Sequence, residues 1–273
     1  MTTGSIPAVP IPAIIPAFRD PDMLARCLAH LEAQSLPVAA CVIDNSQENR
    51  LYTRAINLGL RQNLATMSSY FLLLNQDMLL APTAVGEMVR LMEDRQQAGI
   101  VMPLHLDEDR PDHVTCGGTE RAFPLGLHYS GPLQAFSADR ELPWANGAAL
   151  LLRKVMVQEI GLLDERMRFL CSDVDYSFTA RARGWEVWLS AKARGFHKPK
   201  ASKVSSTAPI ELVKCDDVLA FADKWLTGDL YRSLASEGRE LTPESVQLSV
   251  LELKQLRSSI VDELARTNQR PLA

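Results

Sequence analysis

The stretch that most limits what this chain can fold into is FLLLNQDM, Phe71 to Met78. Its unbroken apolar run suits a strand buried on both faces, and such strands belong to sheets covered by helices on both sides. The run breaks off at Asn75, Gln76 and Asp77, so oxygen ligands would stand at the strand's carboxyl end, the edge where open α/β sheets bind their ligands. An acid there, with an amide two residues before it, suits a divalent cation bridging to a diphosphate, because hard cations prefer oxygen. The same residues also read as the start of a turn before Pro82, with Asp77 capping the next helix.

The residues before this strand repeat a strand, helix, strand pattern. Ile11 to Ile15 form a short apolar strand ending at Pro16, Ala17 and Phe18. Asp20 and Pro21 supply an N-cap and first helical residue, and Met23, Leu24, Cys27, Leu28 and Leu31 recur at helical spacing. A second strand, Ala39 to Ile43, ends in Asp44, Asn45 and Ser46. Parallel strands joined by a right-handed crossover bring both polar ends to one edge. Asp44 could there accept from a base or ribose, or simply form an Asx turn to Ser46. Arg50 to Ala65 reads as a helix despite Gly59, which would admit a close neighbour.

After the central strand, Pro82 opens a helix, Gly99 ends it, and Ile100 to Met102 make another strand. From His105 to Arg140 periodicity disappears, and a loop this long is functional or disordered. His105, His113 and His128 fall in it without metal-ligand spacing and read as solvated or locally paired. Asn146, Gly147, Ala148 and Ala149 are small enough to leave room for a sugar ring or to pack tightly. Arg153 to Ile160 is a short helix closed by Gly161. In SDVDYSFTARARG, Ser172 and Asp175 read as a capping box for a helix from Asp173 to Arg183. Asp173 is left as an acid at a helix start beside a cleft, a candidate general base. A strand from Trp185 to Leu189 leads to GFHKPKASK, where His197 and three lysines would close over a diphosphate or form a solvated turn. From about Ala208 the pattern is helical, with a last stripe from Val246 to Leu264.

Composition narrows the function classes. At 273 residues, 47% of them hydrophobic and 23% charged, the chain reads as one large α/β domain with an appendage. A net charge of -4 offers no general attraction for nucleic acid. Five scattered cysteines without a CxxC pair read as reduced thiols, and no run reaches the length of a membrane span. With no basic, apolar leader, a cytoplasmic protein is expected, working at the inner face of a membrane if it meets one.

Together these segments resemble the inverting nucleotide-sugar glycosyltransferases of family 2, with a GT-A fold, and especially their rhamnosyltransferase-like branch. The likeness runs from about Pro10 to Lys200. It rests on the turn PAFR, the helix Cys27 to Gln34, the strand end IDNS and the NQD motif at Asn75 to Asp77. Its most specific part is GLLDERMRF, then SDVDYSFTARARG and the downstream His197. Ser172 departs from the branch, which carries Glu there, and the amino-terminal nucleotide region is compressed.

The resemblance implies a Rossmann-like, mainly parallel sheet flanked by helices over residues 1–207, with a C-terminal helical extension over 208–273. It implies donor contacts at Pro16, Ala17, Phe18, Asp44, Asn75, Gln76, Gly147 and Lys198, a Mg²⁺ or Mn²⁺ on Asp77 and His197, and Asp173 as catalytic base. The expected activity is sugar transfer, with inversion, from a nucleoside-diphosphate donor to a glycan or lipid-linked acceptor in bacterial polysaccharide or glycoconjugate synthesis. A non-catalytic sugar-nucleotide or glycan-binding relative is the alternative, supported by Ser172. Nucleotidyl transfer would want a Gly-rich phosphate loop, which PAFRDPD lacks. Peripheral membrane contact or a homodimer would use an exposed stripe on the C-terminal helices.

Overall fold

The computed structural model describes residues 9–124, 126–197, 207–226 and 243–272. In chain order the elements are β1 (Ile11–Ala17), α1 (Pro21–Glu32), β2 (Val38–Asp44), α2 (Leu51–Asn63), β3 (Tyr70–Leu74), β4 (Met78–Leu80), α3 (Ala84–Asp94) and β5 (Ala98–Asp107). Four short strands follow: β6 (His113–Cys116), β7 (Thr119–Arg121), β8 (Leu127–His128) and β9 (Gly131–Pro132). Then come β10 (Arg140–Glu141), β11 (Ala149–Arg153), α4 (Lys154–Ile160), α5 (Ser172–Arg181), β12 (Glu186–His197), α6 (Ala208–Trp225) and α7 (Pro243–Thr267).

The main sheet has the order β10-β12-β5-β11-β3-β1-β2. Strands β1, β2 and β3 are mutually parallel, as are β5 and β12, while β11 runs antiparallel to both β3 and β5. The sheet is therefore mixed, with one antiparallel strand at its centre. The period-2 alternation of a strand divides its side chains between two cores. Tyr70, Leu72 and Leu74 of β3 pack with Cys27 and Leu31 of α1 and Val85, Met88 and Met92 of α3. Phe71 and Leu73 face the other way, toward Ile56 and Leu60 of α2, Met156 of α4 and Tyr176 of α5.

Local chemistry explains where several elements begin and pair. Asp20 accepts from the Met23 N–H at 2.9 Å and Pro21 opens α1, as its N-cap and N1 positions dictate. In β1 the odd residues bond β2, with Ile11 N–H donating to Pro37 O and Asn45 N–H to Ala17 O. Pro12 and Pro16 therefore turn their hydrogen-less nitrogens toward β3, and pairing with β3 is confined to Ala13 and Ile14. Gly59 of α2 lies against Ile14, where a β-carbon would overlap the Ile14 side chain.

Five expectations need correction. Asp77 caps no helix: Met78–Leu80 form β4, and α3 starts after Thr83. Gly99 lies inside β5, because α3 already ends at Asp94. The segment from His105 to Arg140 carries strands of two to four residues, too short to leave a periodicity, and His105 is buried in β5 at 3% exposure rather than solvated. Strand β12 runs twelve residues, so Gly195, Phe196 and His197 are strand and no solvated turn, because β4 and β5 both pair with its far end. No capping box forms at Ser172: α5 begins after Cys171 in the left-handed region, φ 63°, with no side-chain cap.

Candidate active site

The carboxyl ends of β1, β2 and β3 meet at one edge of the sheet. Among the described residues, three of the four non-glycine residues with positive φ start helices there: Arg19 (φ 50°) before α1, Leu51 (φ 56°) opening α2 and Cys171 (φ 63°) before α5. Backbone strain gathers where a binding surface over-determines the chain.

At the centre is the turn after β3. Asn75 N–H donates to Ala148 O at 2.9 Å and Asn75 O accepts from Met78 N–H at 3.1 Å, leaving Asp77 on the turn. The register of the next pairing then matters, because His197 of β12 stands opposite Met78 of β4. His197 Nε2 consequently lies 3.4 Å from Asp77 Oδ2, with side chains 25% and 11% exposed. That is long for a charge-assisted hydrogen bond, which closes to about 2.7–2.9 Å. It matches two ligands of one cation, which at about 2.1 Å each and near right or tetrahedral angles stand about 3.0–3.4 Å apart. Among the described residues no group of three or more His, Cys, Asp or Glu side chains gathers as a cation site. The pair thus fits a hard cation that takes its remaining ligands from water and substrate oxygens.

Asp173 reaches the same edge from α5. Its Oδ2 accepts from Gly147 N–H at 2.8 Å and its Oδ1 from Val174 N–H at 2.9 Å. Gly147 neighbours the Ala148 that receives the Asn75 bond, so the two acids expected from sequence stand on one rim. Burial pushes the Asp173 carboxyl above its ordinary range, against the main-chain bonds from Gly147 and Val174 that pull it down. No cation pairs with it among the described residues. A side chain at Gly147 would bring its β-carbon 3.1 Å from Asp173 Cβ and from the Tyr52 hydroxyl.

The expected donor residues take several positions. Pro16 and Ala17 end β1, opposite Ile43 and Asp44 of β2. Asp44 forms the Asx turn, its Oδ1 accepting from Ser46 N–H at 2.7 Å, and these Ser46 bonds hold its carboxyl below the usual range. Gln76 uses both ends of its amide on Phe18, accepting from its N–H at 2.8 Å and donating to its carbonyl at 3.0 Å. It therefore ties the tip of β1 to the Asp77 turn. Lys198 lies outside the described residues.

Of three further neighbours, Tyr52 escapes the sequence reading, while in sequence His128 and His105 read as solvated or locally paired. Tyr52 of α2 donates to Gly147 O at 2.9 Å, and nothing in a helix's periodicity marks such a hydroxyl. His128 approaches the Asn146 amide, Nε2 to Nδ2, at 3.1 Å and tilts against Trp144 at 5.2 Å. His105, pushed down to about 3 by burial and by the nearby His197 and His128, stays neutral beside them.

This fold, a central mixed sheet flanked by helices with a C-terminal helix, is the GT-A glycosyltransferase fold. GalNAc-T7, crystallised with UDP, GalNAc and Mn²⁺, superposes with a TM-score of 0.61 at 13% identity, over 92% of this chain and 55% of that one. S. aureus TarS superposes with a TM-score of 0.54 at 10% identity, over 86% of this chain and 44% of that one. The chain thus spans about half the length of these solved structures. No protein-family model and no curated protein matches the sequence.

Proposed function

We propose that this chain transfers a hexosyl or deoxyhexosyl group from a nucleoside-diphosphate donor to the hydroxyl of a glycan or lipid-linked acceptor, with inversion. The observation that carries this reading is the Asp173 carboxylate, held by main-chain N–H groups on the rim that also bears the Asp77–His197 pair. In the reaction, Asp173 takes the proton of the acceptor hydroxyl as that oxygen attacks the anomeric carbon. The bond from that carbon to the diphosphate breaks on the opposite face, and the diphosphate leaves with the electron pair. A carboxyl raised by burial is a stronger base than an ordinary aspartate, and base catalysis of this kind contributes about 10²–10⁴ in rate. Asp77 and His197 would hold a Mg²⁺ or Mn²⁺, which when bound supplies positive charge against the diphosphate. Pro16 to Phe18, Asp44, Asn75 and Gly147 border the donor, with Gln76 keeping the β1 tip in place. A rhamnosyl donor and a polysaccharide or glycoconjugate product rest on the sequence resemblance. GalNAc-T7 with its UDP and Mn²⁺ supports the donor and cation classes.

A thermal-shift series with UDP, GDP and dTDP sugars, with and without Mn²⁺, tests the reading, since a ligand bound only by the folded state raises the melting point. One donor is expected to raise it, more with Mn²⁺, and to be turned over by the wild type but not by Asp173→Asn. No shift with any donor would overturn it. Stabilisation by a donor that is neither transferred nor hydrolysed would favour the binding-module alternative.

A further inference from the structure

The residue proposed as base follows directly on an irregular segment. Between Arg168 and Ser172 the chain is irregular, and it enters α5 through the left-handed Cys171. Thr53 of α2 donates its N–H to Arg168 O at 3.0 Å, and the rest of the segment is gripped from α6, nearly fifty positions later. Asp217, 0% exposed, accepts from the N–H groups of Phe169 at 2.6 Å and Leu170 at 2.9 Å through one oxygen. Two helical turns further along α6, Lys224 Nζ and Trp225 Nε1 each lie 2.7 Å from Oδ1 of Asp175, a carboxylate 1% exposed. Residues seven and eight apart share one helix face, so one side of α6 holds the segment before Asp173 and the turn after it. Phe221, between the two grips, packs on Phe178 of α5 at 5.9 Å, and Trp225 meets the same ring edge-on at 5.5 Å.

Apolar contacts alone would hold α6 on α5 with some freedom to slide. Buried carboxylates do not permit this, because each loses its partners if the helix shifts and a buried unpaired charge is strongly unfavourable. Burial pushes both the Asp175 and the Asp217 carboxyls up, opposed by these partners and, at Asp217, also by Arg168, whose Nε lies 3.6 Å from Oδ1. Charge therefore helps set the registry, on both sides of the residue that bonds Gly147.

We infer that Asp217, Lys224 and Trp225 are positioning residues: α6 clamps the chain on both sides of Asp173 and sets where its carboxylate points. The inference rests on the proposed role of Asp173 as base. It is tested on the full-length chain with Asp217→Asn, which weakens the first grip, and Trp225→Phe, which keeps a ring in the core and removes one N–H from the second. In each folded variant, hydrogen exchange at the amides of 169–175 is expected to quicken about tenfold or more, as for a lost hydrogen bond to a charged group. Turnover is expected to fall about tenfold while the donor KM stays within about twofold, because the donor's neighbours are untouched. The acid limb of kcat is also expected to move to lower pH as water reaches Asp173, a change that simple loss of stability would not produce. If Asp217→Asn does not fold, Trp225→Phe decides. Wild-type kcat and pH profile in folded variants, with Asp173→Asn inactive, would overturn the clamp alone. An active Asp173→Asn would overturn the base assignment instead.

Discussion

At the scale of single residues the site turns on how Asp173 is held. Its two oxygens are fixed by peptide N–H groups while burial raises its pKa, so it is oriented without being neutralised. Because the folded pKa lies above the unfolded one, its contribution to stability is full below the unfolded carboxylate range and is lost as pH rises through the folded value. Asp173→Asn cannot ionise but sets its NH2 against one of those peptide N–H groups, so the expected signature is in the pH dependence: wild type gains melting temperature on the variant as pH falls through the raised Asp173 value. The same sign places the acid limb of wild-type kcat above the ordinary aspartate range, measurable in a pH–rate profile. Gly147 carries the complementary restriction. Gly147→Ala would press its methyl on Asp173 and Tyr52, which must give by a few tenths of an ångström, and misplacing the proposed base in this way is expected to lower turnover by about tenfold. Steady-state kinetics with an unchanged kcat would contradict that geometry.

At the scale of elements, much of the chain could be read before the structure, where local rules were strong. The Asp20–Pro21 start of α1, the buried run of β3 and the Gly161 end of α4 each follow from one or two residues. What escaped the reading depends on partners far away in sequence. β12 extends to His197 because β4 and β5 offer it edges, and a three-residue strand such as β4 has no period to detect. Asp217 on α6 looks like any solvated helix acid until the Phe169 and Leu170 amides are set against it. Cys171 in a left-handed conformation is equally silent, and Asp175, free of capping duty, turns instead to Lys224 and Trp225. The cation and base candidates Asp77, His197 and Asp173 were named from motif and edge position, and the structure brings all three to one rim. Gly59 tests an element contact directly. Gly59→Ala would drive a methyl into Ile14 across the α2–β1 interface and is expected to lower stability by about 1–3 kcal/mol, read from the urea midpoint at unchanged slope.

At the scale of the whole molecule, the rim joins the β1–β3 half of the sheet to the β5–β12 half, and a ligand seated there would touch both. Saturating donor with Mn²⁺ is expected to stabilise the wild type by about 3 kcal/mol at a hundred times its Kd. His197→Ala is expected to lose the Mn²⁺-dependent part of that gain, as is wild type after chelation; an undiminished gain would remove His197 from the cation site. No helix of the described residues is long and apolar enough to cross a membrane. The β4–β12 pairing has a last consequence, for a chain still being made on a ribosome. Asp77 emerges early and His197 late, so for most of its synthesis a nascent protein carries only half of the proposed cation pair, and Asp173, made in between, waits for α6 to brace it. Split between early and late strands, the proposed centre is assembled only once β12 and α6 have both been made.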